Sequence, residues 1–553
     1  MNLPRNSTPH LTPTTPSTRQ LNRRFLAPGS ASLLGLLGVL SIWNPAAADN
    51  AGACVSVTSV AGLQGGGGAA NLYINGVWKP SQSGKTLSVL APFNGSVVYH
   101  VQAATRAEID EAFDSARAAQ KEWAKTPLWK RAELLKKAAS EMRLHAPAIA
   151  EVMVNEVSKP RKDAIKEVMR TADLFEFTAE EGVRAEGTLL TSDSFVGEKR
   201  NKLALVSRIP LGVVVAIPPF NYPLNLAGSK VAPALMAGNS LVMKPPSAGA
   251  VTGLVGIGAV MHLAGAPKGL VNVVTGKGSE IGDYLTQHKH ASAISFTGGA
   301  TGIKVAKGAS MIPMQMELGG KDPALVLPDA DLDLAAASIV KGAFSYSGQR
   351  CTAVKVAVMV TEDVYNKALP LILAGVKKLK VGHPDDEGVD ITSVIDAKSA
   401  DFIESLVKDA VSRGATLQHP PGGFKREGNL IWPCVLTGVT PDMRLFYEEQ
   451  FGPVLPIAVV GSAEEAIELC NDSPLGLQAS VFTRDIDKAI TISDALHAGT
   501  VQINGAPARG PDHFPFQGFK DSGIGSQGVR WSLDAMSKVK STVINLGGES
   551  YAS

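Results

Sequence analysis

Gly212-Val213-Val214-Val215-Ala216-Ile217, Ser240-Leu241-Val242-Met243 and Val271-Asn272-Val273-Val274 are short apolar runs without regular alternation. A strand with one face in water alternates, so runs of this kind predict strands buried on both faces. Helical stretches separate them. Alternating βα units predict a doubly wound parallel sheet, whose ligands lie beyond the carboxyl ends of its strands. A second α/β region follows from Glu317, while upstream Leu72-Tyr73-Ile74-Asn75-Gly76 and Gly95-Ser96-Val97-Val98 give strand and turn signals. Thr105 with Glu108 forms a capping box, and Ile109, Ala112, Phe113 and Ala116 make one helical stripe behind it. A second helical pattern runs from about Trp129 through Met142.

A chain of 553 residues is too long for one core, so two or three packed units are expected. Hydrophobic residues make up 45%, and the formal net charge of +2 shows no basic excess, which speaks against a nucleic-acid partner. Any anionic ligand must be met by a local pocket. The cysteines Cys54, Cys351, Cys434 and Cys470 are too few and too scattered for a disulfide framework or a CxxC metal site, and no metal is expected. Cys434 and Cys470 read as small buried hydrophobes.

Residues 1–48 contain no Asp or Glu but carry Arg5, Arg19, Arg23 and Arg24 among Ser, Thr and Pro, the composition of a transit peptide. The apolar run Ala31 to Trp43 is too short for a comfortable membrane span and ends near Ala46-Ala47-Ala48, like a cleavable segment. The mature chain is therefore expected to hold no membrane span. Plastid import is the first expectation, ahead of a secretory or lumenal signal and of an uncleaved tail in the cytoplasm. Residues 49–69, with the run Gly65 to Gly68, read as a flexible linker.

Two glycine motifs mislead. Gly276-Lys277-Gly278-Ser279-Glu280-Ile281-Gly282 places its third glycine one residue late for a dinucleotide fingerprint, and Ser83-Gly84-Lys85-Thr86 lacks the earlier glycine of a phosphate loop.

Three other segments carry chemistry. Phe344-Ser345-Tyr346-Ser347-Gly348-Gln349-Arg350-Cys351-Thr352 sets a cysteine beside a permanent cation. A free thiol has a pKa near about 8.5, and a neighbouring positive charge raises its nucleophilic fraction, so Arg350 is expected to activate Cys351. Glu317 follows Met314-Gln315-Met316, where desolvation would push a carboxylate toward base duty, although a lone Glu is ordinarily a solvated surface group. Pro218-Pro219-Phe220-Asn221-Tyr222-Pro223 ends a buried strand with an amide donor suited to an oxyanion.

Taken together and in this order, the segments resemble the aldehyde dehydrogenase superfamily across residues 70–547. Within it, residues 344–352, Lys425-Arg426-Glu427-Gly428-Asn429-Leu430-Ile431-Trp432-Pro433 and Ala508-Arg509-Gly510-Pro511-Asp512-His513-Phe514-Pro515-Phe516 are similar to the non-phosphorylating, NADP-dependent glyceraldehyde-3-phosphate dehydrogenases of plants and algae. The resemblance implies an α/β fold with a parallel-sheet cofactor domain over 70–188 and 207–316 and an α/β catalytic domain over 317–530. It also implies a small β oligomerisation element over 189–206 and 531–553, and a homotetramer. Cys351 would be the nucleophile, Glu317 the base, and Asn221 with the Cys351 N–H the oxyanion hole. NADP would be held by Lys244, Ser247, Asp283, the turn Gly298-Gly299-Ala300-Thr301-Gly302, Glu449 and Phe451. A hydroxyl at Ser247 suits a 2′-phosphate that a carboxylate would repel. Arg170, Asn221, Tyr222, Arg350, Cys351, Thr352 and Arg509 would line the pocket for a small phosphorylated aldehyde, with three arginines converging on its phosphate. Gln450, where this subfamily usually has proline, and Gly299-Ala300, where many members have Ser-Thr, depart from the pattern. The alternatives are another aldehyde or semialdehyde dehydrogenase and, from a different class, a non-catalytic structural descendant.

Overall fold

The computed structural model describes residues 57–65 and 68–548. The expected leader and its cleavage point lie outside these residues.

The apolar runs become the centre of an eight-stranded sheet. Its order is Gly523–Ile524, Met314–Glu317, Ala291–Thr297, Val213–Ile217, Ser240–Met243, Val271–Val273, Leu72–Ile74, Val77–Lys79. The five middle strands are parallel, and antiparallel strands close both edges. Both faces are covered, as the missing alternation requires. Val213 and Val215 pack with Ile109 and Phe113 of the helix Arg106–Trp123, while Val214 and Ala216 face a core that includes Leu135, Ile149 and Phe175. Burying side chains of this size stabilises by roughly 1.5–3 kcal/mol each. The Thr105–Glu108 capping box starts that first helix, and the second expected helix spans Leu128–Leu144.

From Val213–Ile217 the chain moves outward through Ser240–Met243 to Val271–Val273. It then returns to the other side of Val213–Ile217 as Ala291–Thr297. The strand order therefore reverses between Val213–Ile217 and Ala291–Thr297, which is where a doubly wound sheet opens a crevice.

A seven-stranded sheet follows in the order Thr416–His419, Cys434–Thr437, Val454–Val460, Val356–Val360, Pro323–Val326, Gln478–Phe482, Thr500–Ile503, parallel except for its first strand. Its two faces carry separate apolar cores. Only Leu318 to Asp322 separate the end of Met314–Glu317 in the first sheet from Pro323–Val326 in the second. Much later the chain returns, pairing Gly523 with Glu317 and Ile524 with Met316.

Thr188–Thr191, Lys202–Pro210 and Ser537–Asn545 form an antiparallel sheet of their own. It exposes Leu189, Leu190, Val539 and Val543. Two sequence boundaries shift. The strand Lys202–Pro210 runs through the expected break at 206, and Leu533 and Met536 pack into the first core although the resemblance implies that the tail from 531 belongs to the outer element. The expected flexible linker also fails over residues 57–65, because Val60 and Leu63 are apolar and bury in the core that holds Trp78. Asn71 fastens the segment by donating from its backbone N–H to the Leu63 carbonyl and from its side chain to the Gly62 carbonyl.

Candidate active site

A cavity of about 360 Å³ opens at the switch point of the first sheet, between Pro219, Phe220 and Asn221 on one strand end and Thr297, Gly298 and Gly299 on the other. Cys351, Glu449 and Phe451 close it from the second sheet's side.

Cys351 follows a turn built under strain. Tyr346, Ser347 and Gly348 all have left-handed backbone, with φ of 51°, 53° and 70°. Long-range bonds hold them there: the Tyr346 hydroxyl donates to the Val157 carbonyl (3.0 Å) and the Ser347 hydroxyl to the Thr392 carbonyl (2.8 Å). At Gly348 a Cβ would lie 2.1 Å from the Gly452 carbonyl oxygen, so only glycine fits. Asn221 reaches the same loop, its amide donating to the Gln349 carbonyl at 2.9 Å. Its own carbonyl accepts from Lys159, a buried ammonium that also pairs with Glu167 and lies 3.8 Å from the centre of the Tyr222 ring. Thr352, the next residue along the chain, is buried.

Glu317 ends its strand buried, and neither carboxylate oxygen has a hydrogen-bond partner. Burial pushes its pKa up to about 8, against the pull of Arg509 and Lys230. No motif in the sequence marks Lys230. It is the one charged residue in the helix Asn225–Met236, every residue of which is buried, and its ammonium donates to the Thr297 hydroxyl at 2.6 Å. Burial lowers its pKa to about 7. A lone lysine in an apolar run was the available signal.

The expected activation of Cys351 by Arg350 is corrected. Burial pushes the thiol up to about 11, and the cation that most opposes this is Lys355. The Arg350 guanidinium instead donates to the Gly342 carbonyl at 2.6 Å. Sequence adjacency put the charge next to the cysteine, but the loop turns it toward the preceding helix.

Of the three expected arginines, two are already engaged by a carboxylate. Arg170 and Arg509 meet with an anion already between them, while the Arg350 guanidinium donates to the Gly342 carbonyl. Asp512 accepts from Arg170 Nε (2.6 Å) and Nη2 (2.8 Å) and lies 3.7 Å from Arg509 Nε. Arg170 also donates to the Arg509 carbonyl at 2.9 Å. Arg509 stacks 4.9 Å from the centre of the Phe516 ring. Its charge acts on both Glu317 and Cys351.

The expected cofactor residues divide. Glu449 accepts from the Gly320 N–H (3.2 Å) and pairs with Lys355, and a Cβ on Gly319 would lie 2.2 Å from it. Phe451 stands edge-on to Phe220. Gly298 and Gly299 line the cavity, Ala300 precedes the helix Thr301–Gly308, and Gly302 packs so closely that a Cβ would lie 2.1 Å from Leu318. Lys244, buried after Ser240–Met243, donates to the Pro245 carbonyl, and burial lowers its pKa to about 8. Pro246 lines the cavity and Ser247 beyond it is exposed. Asp283 is exposed, pairs with Lys304 (2.9 Å), and borders a separate depression with Arg106 and Tyr284. Gln450 is buried away from the cavity, accepting from Lys321 and donating to the Lys355 and Val454 carbonyls. Among the described residues there is no cluster of metal-ligating side chains and no helix long and apolar enough to cross a membrane.

The aldehyde dehydrogenase family pattern matches residues 78–542. The NADP-dependent glyceraldehyde-3-phosphate dehydrogenase of Triticum aestivum is 60% identical over 481 residues, 87% of this chain and 96% of that protein. The protein of the same description from Pisum sativum is 59% identical over the same length. Among solved structures, NADP-dependent glyceraldehyde-3-phosphate dehydrogenase from Bacillus halodurans, complexed with NADP, matches with a TM-score of 0.84 at 49% identity, covering 87% of this chain and 100% of that one.

Proposed function

The chain belongs to the aldehyde dehydrogenase family, and from that membership we propose that it oxidises D-glyceraldehyde 3-phosphate to 3-phosphoglycerate with NADP and without inorganic phosphate. One observation carries the reading: the half-buried thiol Cys351 lines the cavity at the mouth between the two sheets, and the unpartnered buried acid Glu317 directly precedes Leu318 and Gly319, which line the same cavity. Relatives named for this activity support the substrate and the cofactor.

In this reading the Cys351 thiol gives its proton to solvent water and the thiolate Sγ attacks the aldehyde carbon, whose C=O electron pair moves onto oxygen, forming a thiohemiacetal. The Asn221 amide, already aimed at the Cys351 loop, donates to the developing oxyanion together with the Cys351 N–H. NADP, when bound, supplies the acceptor for the hydride that leaves the carbon. Glu449, Phe451, Gly298 and Gly299 would hold its nicotinamide half in the largely apolar cavity, and Lys244 and Ser247 its phosphorylated ribose. The resulting thioester is attacked by water. Glu317 in its ionised form, the fraction that grows as pH rises through about 8, takes the water's proton, the C–S bond breaks with its electron pair going to Sγ, and Cys351 leaves as the thiolate. Arg509 meets the substrate phosphate, and Arg170 contributes from the other side of Asp512.

The test is NADPH formation from glyceraldehyde 3-phosphate with and without inorganic phosphate, in the parent protein and in Arg509→Leu. Equal rates with and without phosphate are expected. The variant should raise KM for the phosphorylated aldehyde at least about tenfold more than for glyceraldehyde, since a charge-assisted hydrogen bond contributes about 1.5–3 kcal/mol. A phosphate-dependent rate, or equal losses on both aldehydes, would overturn the reading.

Two further points belong to it. The exposed Leu189, Leu190, Val539 and Val543 support a homotetramer built through the three-stranded sheet, and a monomer by light scattering would count against it. The acid-free leader supports import into a plastid, with the cytoplasm as the alternative. A leader fusion that stays cytosolic would decide for the latter.

A further inference from the structure

Lys355 is almost completely buried at the start of the strand Val356–Val360, and its ammonium has two partners. It donates to the backbone carbonyl of Cys351 at 2.5 Å and pairs with Glu449 Oε1 at 3.2 Å. The nucleophile's peptide and the carboxylate at the cavity wall therefore share one cation. The surroundings keep it in place: the Lys355 N–H donates to the Asp322 carbonyl, and the Lys355 carbonyl accepts from the Gln450 amide. A second buried ammonium, Lys321, fastens the segment around Glu449 through the Leu445 and Glu448 carbonyls and the Gln450 side chain. Lys321 thus meets only neutral acceptors, and Glu449 is left as the anion of Lys355. The other carboxyls that act on Cys351, Asp322 and Glu317, are both held protonated near neutrality by burial, each with a pKa pushed up to about 8.

A buried cation of this kind is costly unless paired, so its retention between these two groups calls for a reason. We propose that Lys355 is the positioning residue of this site, fixing the Cys351 peptide and the Glu449 carboxylate on one ammonium so that events at Glu449 reach the thiol. Glu449 draws the ammonium's charge toward the cavity wall. A ligand that engages Glu449 through its own hydroxyl groups competes for that carboxylate and leaves more of the ammonium's field on Cys351. The inference rests on the reading of Cys351 as nucleophile and of Glu449 as a cofactor contact.

Iodoacetamide alkylation of Cys351, followed across pH on the Cys351 peptide with no cofactor present, tests it without any turnover. Lys355→Met should slow alkylation at pH 8 at least about fivefold and displace the profile upward, because a cation near the thiol is gone. Glu449→Gln should do the opposite, speeding alkylation and displacing the profile downward, because the competing anion is gone. Loosened packing would move both variants the same way. Lys355→Met should also raise KM for NADP several-fold more than KM for the aldehyde. Coincident profiles, or shifts of the same sign in the two variants, would overturn the proposal, and if Lys355→Met does not fold, the direction in Glu449→Gln alone decides. Failure of the proposed function would appear elsewhere, as turnover that survives Cys351→Ser.

Discussion

Burial holds a proton on both Glu317 and Cys351 near neutral pH. For Glu317 the sign of the consequence is fixed. Its folded pKa, about 8, lies above the ordinary 4.5, so between those values the folded chain keeps a proton that the unfolded chain has lost, and stability falls as pH rises through that window. Glu317→Gln removes this penalty. The variant should be more stable than its parent at pH 8, by up to a few kcal/mol, with the gap closing toward pH 5, as thermal unfolding at the two pH values would show. The same variant should still give a burst of NADPH while steady turnover falls by roughly 10²-fold or more, the size expected for loss of a general base. Normal steady turnover would remove Glu317 from that role. At this scale the sequence was legible where a residue's neighbours along the chain make its surroundings, as the strand Met314–Glu317 does for Glu317. It was not legible where the partner is remote. Asp512 stands 342 positions from the Arg170 it neutralises, and no local pattern in Arg509-Gly510-Pro511-Asp512 reveals that pairing.

The turn before Cys351 shows what an element can store. Three consecutive left-handed residues, two of them with a Cβ, cost of order 1–3 kcal/mol each at the non-glycine positions and persist only because distant groups hold them. Gly348→Ala adds both the backbone cost and a clash with the Gly452 carbonyl. It should destabilise the protein by about 2 kcal/mol or more and lower kcat at least tenfold through displacement of Sγ, read by thermal unfolding and initial rates. Unchanged values for both would show that the turn can relax. The central strands were legible because burial on both faces erases alternation. The packed segment 57–65 was not, because the nearby glycines dominate the composition while only Val60 and Leu63 drive the packing. Arg350 failed for a related reason, since its direction is set by φ values that the sequence does not display.

The whole molecule is threaded so that the second sheet is an excursion from the first. The chain leaves after Glu317 and comes back at Gly523, its direct cross-strand partner. Opposed residues of an antiparallel pair are about 4.5–5.5 Å apart at Cα, a gap that a tight turn closes. Residues 318 to 522 are thus inserted between two paired residues of one sheet, and the strand that ends in the proposed base is also the splice site, although Leu318 packs into the first sheet's core and Tyr346 and Thr392 bond back to Val157 and Ser158. A chain in which a short Gly-Asn turn replaces 318–522 should fold on the strength of the first sheet's two cores and retain weak NADP affinity, with no aldehyde oxidation, as circular dichroism and cofactor titration would report. An unfolded or aggregated product would mean that the first sheet depends on its passenger. If it does fold, the architecture has a ready port. Other substrate modules could be set into the same cofactor body at one seam, each arriving with its own nucleophile while the acid at the end of Met314–Glu317 stays where it is.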